Sequence, residues 1–168
     1  MKKITIFALS LLLFLCTACY IGTNKVKDFT FDYETFKLQH EKWLNANISS
    51  YTYNYYSAGF SLYDYNITVE GNVVVGAYDK QYDKDIFESH SYIHELSINE
   101  IFNQIENKYL ARIDGVTDRS HYLIAITITY DEVYGFPVDV DYDYYTRPGL
   151  AVDGNFMFKI LDFSISEK

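Results

Sequence analysis

The chain has 168 residues, with 14 Lys and Arg against 23 Asp and Glu and a formal net charge of −9. A surface this acidic repels phosphate backbones and anionic headgroups, which disfavours a nucleic-acid partner and attachment to a membrane through a basic patch. Eighteen tyrosines and twelve phenylalanines against only two cysteines describe a chain that must be held by aromatic packing rather than by disulfides.

At the start, Lys2 and Lys3 precede the apolar run ITIFALSLLLFLCTAC, which is too short to span a bilayer and reads as an export signal. Thr17 and Ala18 stand just before Cys19, a boundary that resembles the lipobox of bacterial lipoproteins, where a peptidase cuts ahead of a diacylated cysteine. Cys16 occupies the position where that motif usually carries Leu. Cleavage at Cys16 would need bulky Phe14 and Leu15 in small-residue positions, so residues 1–18 are expected to be the signal peptide and Cys19 the lipidation site. A plain secretory cut after Ala18 is the alternative. Processing removes Lys2 and Lys3 and leaves 12 basic against 23 acidic residues, a net charge of −11. It also uses both cysteines, so the remaining 150 residues must fold without a staple, and that length suffices for one core. The implied location is the bacterial cell envelope, with the membrane as a partner through the acyl chains on Cys19.

Residues 19–31 lack apolar periodicity and read as the lipidated N-terminus and tether of a single domain over 32–168. Asp32 can cap a first helix in which Phe36, His40, Trp43 and Leu44 recur at spacings of three and four. Residues 51–55 and 61–69 then alternate as half-buried strands. A loop of Ala58, Gly59 and Phe60 would set Tyr55 opposite Tyr63, Tyr53 opposite Tyr65 and Tyr51 opposite Ile67. Gly71 and Asn72 turn the chain into VVVGAY, whose facing is ambiguous because Val falls on both parities. From Asp79 to Glu95 the chain is polar and aperiodic, a surface loop.

Ser97 opens a second helix, with Glu100 completing a capping box and Leu96 able to staple against Ile101. Its buried stripe is Ile98, Ile101, Phe102, Ile105 and Tyr109. Three strands follow. In the first, Tyr122, Ile124, Ile126, Ile128 and Tyr130 share a face. In the second, Phe136, Val138, Val140, Tyr142 and Tyr144 face the core while Asp139, Asp141 and Asp143 face water. The third runs over about 155–165. The order α-β-β-β-α-β-β-β predicts an α+β fold with two helices packed on a mainly antiparallel sheet.

Several of these residues together resemble a family of small bacterial lipoproteins built around one uncharacterised domain. They are Trp43 ahead of Tyr51 and Tyr53; Ser97 with Ile101 and Phe102; Tyr130, Asp131, Gly135, Phe136, Pro137 and Asp141; then Asp153, Phe158, Ile160 and Phe163. The resemblance covers most of the mature chain and implies export and a fold, but no activity. The paired cysteines common near that family's second strand are absent here.

Candidate chemistry is sparse. Asp139, Asp141 and Asp143 begin like a calcium loop, yet Tyr144 stands where such a loop needs Gly and Leu150 where it needs a bidentate Glu. Alternation of charge with core residues needs no metal; these carboxylates and Asp153 remain the weak metal candidates. His90 and His94 have the i, i+4 spacing of a zinc pair but lie in the polar loop and lack the zincin glutamate. His40 and His121 each stand alone. No G-x-S-x-G elbow, free thiol or Gly-rich phosphate loop occurs in the mature chain, and no cofactor is expected. The expected function is that of a membrane-anchored, non-catalytic envelope lipoprotein that binds a protein or small ligand. The alternative is a carboxylate- or metal-dependent envelope enzyme using the Asp139 to Asp153 region.

Overall fold

Helix α1 (Tyr33–Ala46) begins at Asp32, whose carboxylate accepts from the Thr35 amide and hydroxyl at 3.0 and 2.8 Å; Asn47 ends the helix with φ at 52°. The computed structural model describes residues 28–59, 61–115, 120–149 and 154–166. The signal segment, Cys19, Phe60, Leu150 and Asp153 lie outside the described residues. Phe36 and Trp43 of α1 are buried, and His40 lies flat on Phe102 at 4.3 Å between ring centroids. Leu44, expected in the same stripe, is 54% exposed. The helix seats on the line from Phe36 to Trp43, and Leu44 is turned 100° away from it.

Tyrosines dominate the sheet face beneath. Strands β1 (Tyr51–Ala58) and β2 (Tyr63–Glu70) bury Tyr51, Tyr53, Tyr55 and Ser57 from one strand and Tyr65, Ile67 and Val69 from the other. Their register differs from the expected one by two residues: Tyr51 pairs with Val69, Tyr53 with Ile67, Tyr55 with Tyr65 and Ser57 with Tyr63. A slip of two leaves every side chain on its own face, so the apolar alternation cannot distinguish the two pairings. In the observed pairing Ser57, which continues the buried row, lies opposite Tyr63 rather than Ser61. Gly71 and Asn72, both at positive φ, then make the tight turn into β3 (Val73–Asp79). A bulge between Thr68 and Val69 leaves Val75 unpaired with β2. It puts Val74 and Ala77 inward despite their odd spacing, which settles the facing that three consecutive valines left ambiguous.

The stretch 79–95 is not a simple surface loop. It contributes a two-residue strand β4 (Lys84–Asp85), a 3-10 turn (Ser91–Glu95), and two fully buried anchors, Ile86 and Ile93. Ser97 then caps helix α2 (Ile98–Ile113) through a bond from the Glu100 amide at 3.3 Å, and Ile98, Ile101, Phe102 and Ile105 are buried. Sheet tyrosines hold the start of this helix. The Tyr51 hydroxyl accepts from the Ile98 amide at 2.8 Å, and the Tyr53 hydroxyl donates to the buried Leu96 carbonyl.

Strands β5 (His121–Tyr130), β6 (Pro137–Thr146) and β7 (Phe156–Ile165) complete one antiparallel sheet of order β4-β3-β2-β1-β7-β6-β5, covered by both helices on one face. The α+β arrangement is as expected, with β4 added. In β5 a bulge at Ile124 shifts the parity, so Leu123 joins the core where Tyr122 and Ile124 were expected to point. Beyond the bulge Ile126, Ile128 and Tyr130 pack as expected, and so do Phe136, just ahead of β6, and Val138, Val140, Tyr142 and Tyr144 within it. The domain also starts before Asp32. Thr30 bridges to Ala125 on the free edge of β5, and Phe29 and Phe31 pack on Tyr109.

The turn between β5 and β6 rests on α1. Asp131 accepts from the amides of Val133 and Tyr134 at 3.0 and 2.6 Å, and Lys42 donates to the Glu132 carbonyl at 2.6 Å. Gly135 sits at φ +82°, where an added Cβ would lie 2.8 Å from the Gln39 carbonyl oxygen. Gly135→Ala is therefore expected to destabilise the domain by at least about 2 kcal/mol, combining a left-handed backbone with a clash against helix backbone. Urea unfolding measures this; a change near zero would show that the turn does not press on α1.

Candidate functional site

The carboxylates picked out by alternation lie on the sheet face that no helix covers. Asp139 pairs across the strands with Lys159 at 2.8 Å. Asp141 is exposed, and its carboxyl is raised above the usual range first by partial desolvation and then by the flanking Asp143 and Asp139 charges. Side chains at i, i+2 and i+4 on a strand stand in a row along one face rather than around a point. Among the described residues no three His, Cys, Asp or Glu side chains are grouped to hold a metal ion. His90 precedes the 3-10 turn and His94 lies within it, each held by a different ring: His90 stacks on Tyr92 at 5.4 Å, and His94 meets the edge of Phe87 at 4.7 Å. His121 stacks on Tyr144 and bonds Thr146 at 3.0 Å.

The concave surface of interest forms instead beside the β1–β2 hairpin. On the inner face, Tyr55, Ser57, Tyr63, Tyr92, Leu96 and Phe156 line an open-mouthed chamber of about 190 Å³. Ser57 is fully buried, and its hydroxyl lacks a hydrogen bond of normal geometry, although the Tyr55 hydroxyl comes close enough to feel it. Unsatisfied buried hydroxyls are uncommon in folded proteins, because the group has given up water for nothing.

Tyr63 also lines a second, wider cleft of about 300 Å³, whose aromatic walls are Tyr63, Tyr65 and Tyr82. The Tyr65 and Tyr92 hydroxyls meet at 2.9 Å and tie the two walls together. Polar groups converge on the wider cleft as well. Asp79 is 6% exposed, and one of its oxygens accepts from the Gln81 and Tyr82 amides at 2.9 and 3.0 Å. This fixes the turn that presents Gln81 and Tyr82. Lys84 holds its ammonium 5.6 Å from the Tyr82 ring centroid, within cation–π range.

Sequence reading placed the tyrosines of β1 and β2 on one face but missed this site, because half of it comes from 79–95. Two signals were present there. Ile86 and Ile93 are isolated apolar residues in a polar stretch, and Asp79 stands two and three positions before the amides it caps.

The family model described as "Family of unknown function (DUF6174)" matches residues 35–165. No curated protein and no solved structure matches the chain.

Proposed function

We propose, from the premise that the chain belongs to the DUF6174 family and that this family carries no assigned function, that it is an exported envelope lipoprotein. On this reading Cys19 carries the acyl anchor and the domain binds a small ligand, without catalysis, in the tyrosine-lined double cleft. The carrying observation is that two concavities share Tyr63, and that the wider one combines three aromatic walls with Asp79, Gln81 and Lys84. Ligand sites are commonly such largely apolar hollows with a few placed polar groups. The first described residues join the domain beside β5, the opposite edge of the sheet from β3 and β4. The carboxylate row supplies nothing in favour of the enzyme alternative: a flat strand face with Asp139 tied to Lys159 gives no enclosed pair of groups with opposed acidities.

Two measurements test this reading. Cys19→Ser is expected to abolish acylation by mass analysis and release the protein from the membrane fraction; unchanged retention refutes the anchor. A fragment screen by nuclear magnetic resonance is expected to find compounds that saturate shifts of Tyr63, Tyr65 and Tyr82. Ser61→Trp, at an exposed position on the cleft rim, is expected to remove that response. Hits that ignore the plug would refute the cleft as the binding surface.

A further inference from the structure

Resting on that reading of the cleft, the geometry points to a class of ligand: we infer that the wider cleft binds a neutral saccharide, whose ring lies on Tyr82 and Tyr63 while an apolar substituent enters the inner chamber. Charge and hydrogen-bonding capacity carry the argument by elimination. A wholly apolar ligand would strip water from Asp79, Gln81 and Lys84 without replacing it, and unpaired polar groups of this kind are costly to bury. An anion would meet the Asp79 carboxylate within a chain of net charge −9. A cation would meet the Lys84 ammonium, which lines the same cleft, and be repelled by it. What suits the remaining surface is an uncharged ring with many hydroxyls and at least one hydrocarbon face.

Pyranose rings have that dual character. Their axial C–H bonds present a weakly positive face, which the electron-rich faces of tyrosine rings attract. Their equatorial hydroxyls both donate and accept. Asp79 keeps acceptor capacity beyond the two amides it caps, Gln81 offers a carbonyl and two donors, and Lys84 offers three donors. The inner chamber is of another kind. Tyr55, Tyr63, Leu96 and Phe156 supply most of its wall, the Tyr92 hydroxyl is engaged with Tyr65, and the buried Ser57 hydroxyl offers one polar contact rather than several. Its volume of about 190 Å³ exceeds the roughly 150 Å³ of an apolar cavity known to admit benzene. It therefore suits a ring-sized apolar group attached to the sugar.

The test uses the full chain in a detergent without sugar headgroups, with tyrosine shifts followed during titration of methyl β-glucoside, phenyl β-glucoside and N-acetylglucosamine. Phenol and tetramethylammonium serve as the apolar and cationic comparisons. At least one of the saccharides is expected to saturate Tyr63, Tyr65 and Tyr82, with phenyl β-glucoside at least threefold tighter than methyl β-glucoside. Tyr82→Ala, at a side chain 67% exposed and so harmless to folding, is expected to weaken saccharide binding at least tenfold. Gln81→Ala is expected to weaken saccharides but not phenol. Saturation by phenol or tetramethylammonium with no response to any saccharide overturns the saccharide assignment and leaves the cleft standing as a binding site. Saccharide binding indifferent to both substitutions also overturns it. Silence of the three tyrosines toward all five probes and toward the fragment library overturns both readings.

Discussion

Trp43→Ala is expected to destabilise the domain by about 3–5 kcal/mol, the range for removing a large buried aromatic side chain. Trp43 is 2% exposed and meets three rings edge-on: Tyr51 at 5.5 Å, Phe136 at 5.9 Å and Phe163 at 6.1 Å. Those rings come from β1, from the residue just ahead of β6 and from β7, so one side chain of α1 joins both halves of the sheet. Perpendicular contacts of this sort place positive ring edges over negative ring faces, adding about 0.5–1.5 kcal/mol each to simple burial. Its indole N–H also donates to Asn99 Oδ1 at 2.7 Å, which links α1 to α2. Alanine would leave a void that neighbouring rings cannot fill without leaving their own partners. Trp43→Phe separates the two contributions, because it keeps most of the volume and removes the bond; Asn99 is only half-buried and can turn to water. Its expected cost is about 1–2 kcal/mol. Equal losses for the two variants in denaturant unfolding would show that the indole hydrogen bond, not the packing, carries the effect.

Alternation was informative wherever one sheet face is covered by helices and the other is wet. It put Tyr51, Tyr53 and Tyr55 together with Tyr65 and Ile67, and it separated Val140 and Tyr142 from Asp139, Asp141 and Asp143. It was blind to whatever preserves or locally resets parity. The two-residue change in β1–β2 pairing alters neighbours without altering faces. The bulge at Ile124 exchanges faces midway along a strand whose residues are apolar on both sides, so nothing in His121–Tyr130 marks the exchange. Helix starts were legible for a different reason: Asp32 and Ser97 act on amides within three residues of themselves. The cleft was illegible because it is non-local. Tyr55 and Tyr92 come to one chamber and Tyr82 to the cleft beside it only after β1, the turn at Asp79 and the 3-10 turn have been assembled, and no spacing along the chain encodes that convergence. The segment Tyr130–Pro137, which carries part of the family resemblance, has a structural explanation in the Asp131-capped turn and the close approach of Gly135 to α1.

Alkali above pH 10 is expected to unfold this protein cooperatively, and the tyrosine-built interior is the reason. Burial raises the Tyr51 phenol to about 12 and pushes those of Tyr53, Tyr55, Tyr65 and Tyr142 upward as well. In the unfolded chain a phenol ionises near pH 10, so between that value and the folded pKa the native state holds protons that the unfolded state has released. Stability is therefore complete below about pH 10 and falls as pH rises through the raised values, the opposite direction to acid-labile carboxylates. Each such phenol removes about 1.4 kcal/mol per pH unit, so five approach about 7 kcal/mol per unit. Against a typical total of about 5–15 kcal/mol, that exhausts the domain within roughly two units above pH 10. Tyrosinate absorbance and circular dichroism should change together in one steep transition. Tyr142→Phe removes one titrating group from a site where Lys108 lies over the ring, and should move the midpoint to higher pH. Tyr53→Phe removes another but abandons the bond to the Leu96 carbonyl, so at neutral pH it should cost about 1–3 kcal/mol. Tyrosinate appearing gradually near pH 10, with the sheet intact, would mean that water already reaches these rings and that the β1 and β2 tyrosines are not the buried wall on which the helices sit.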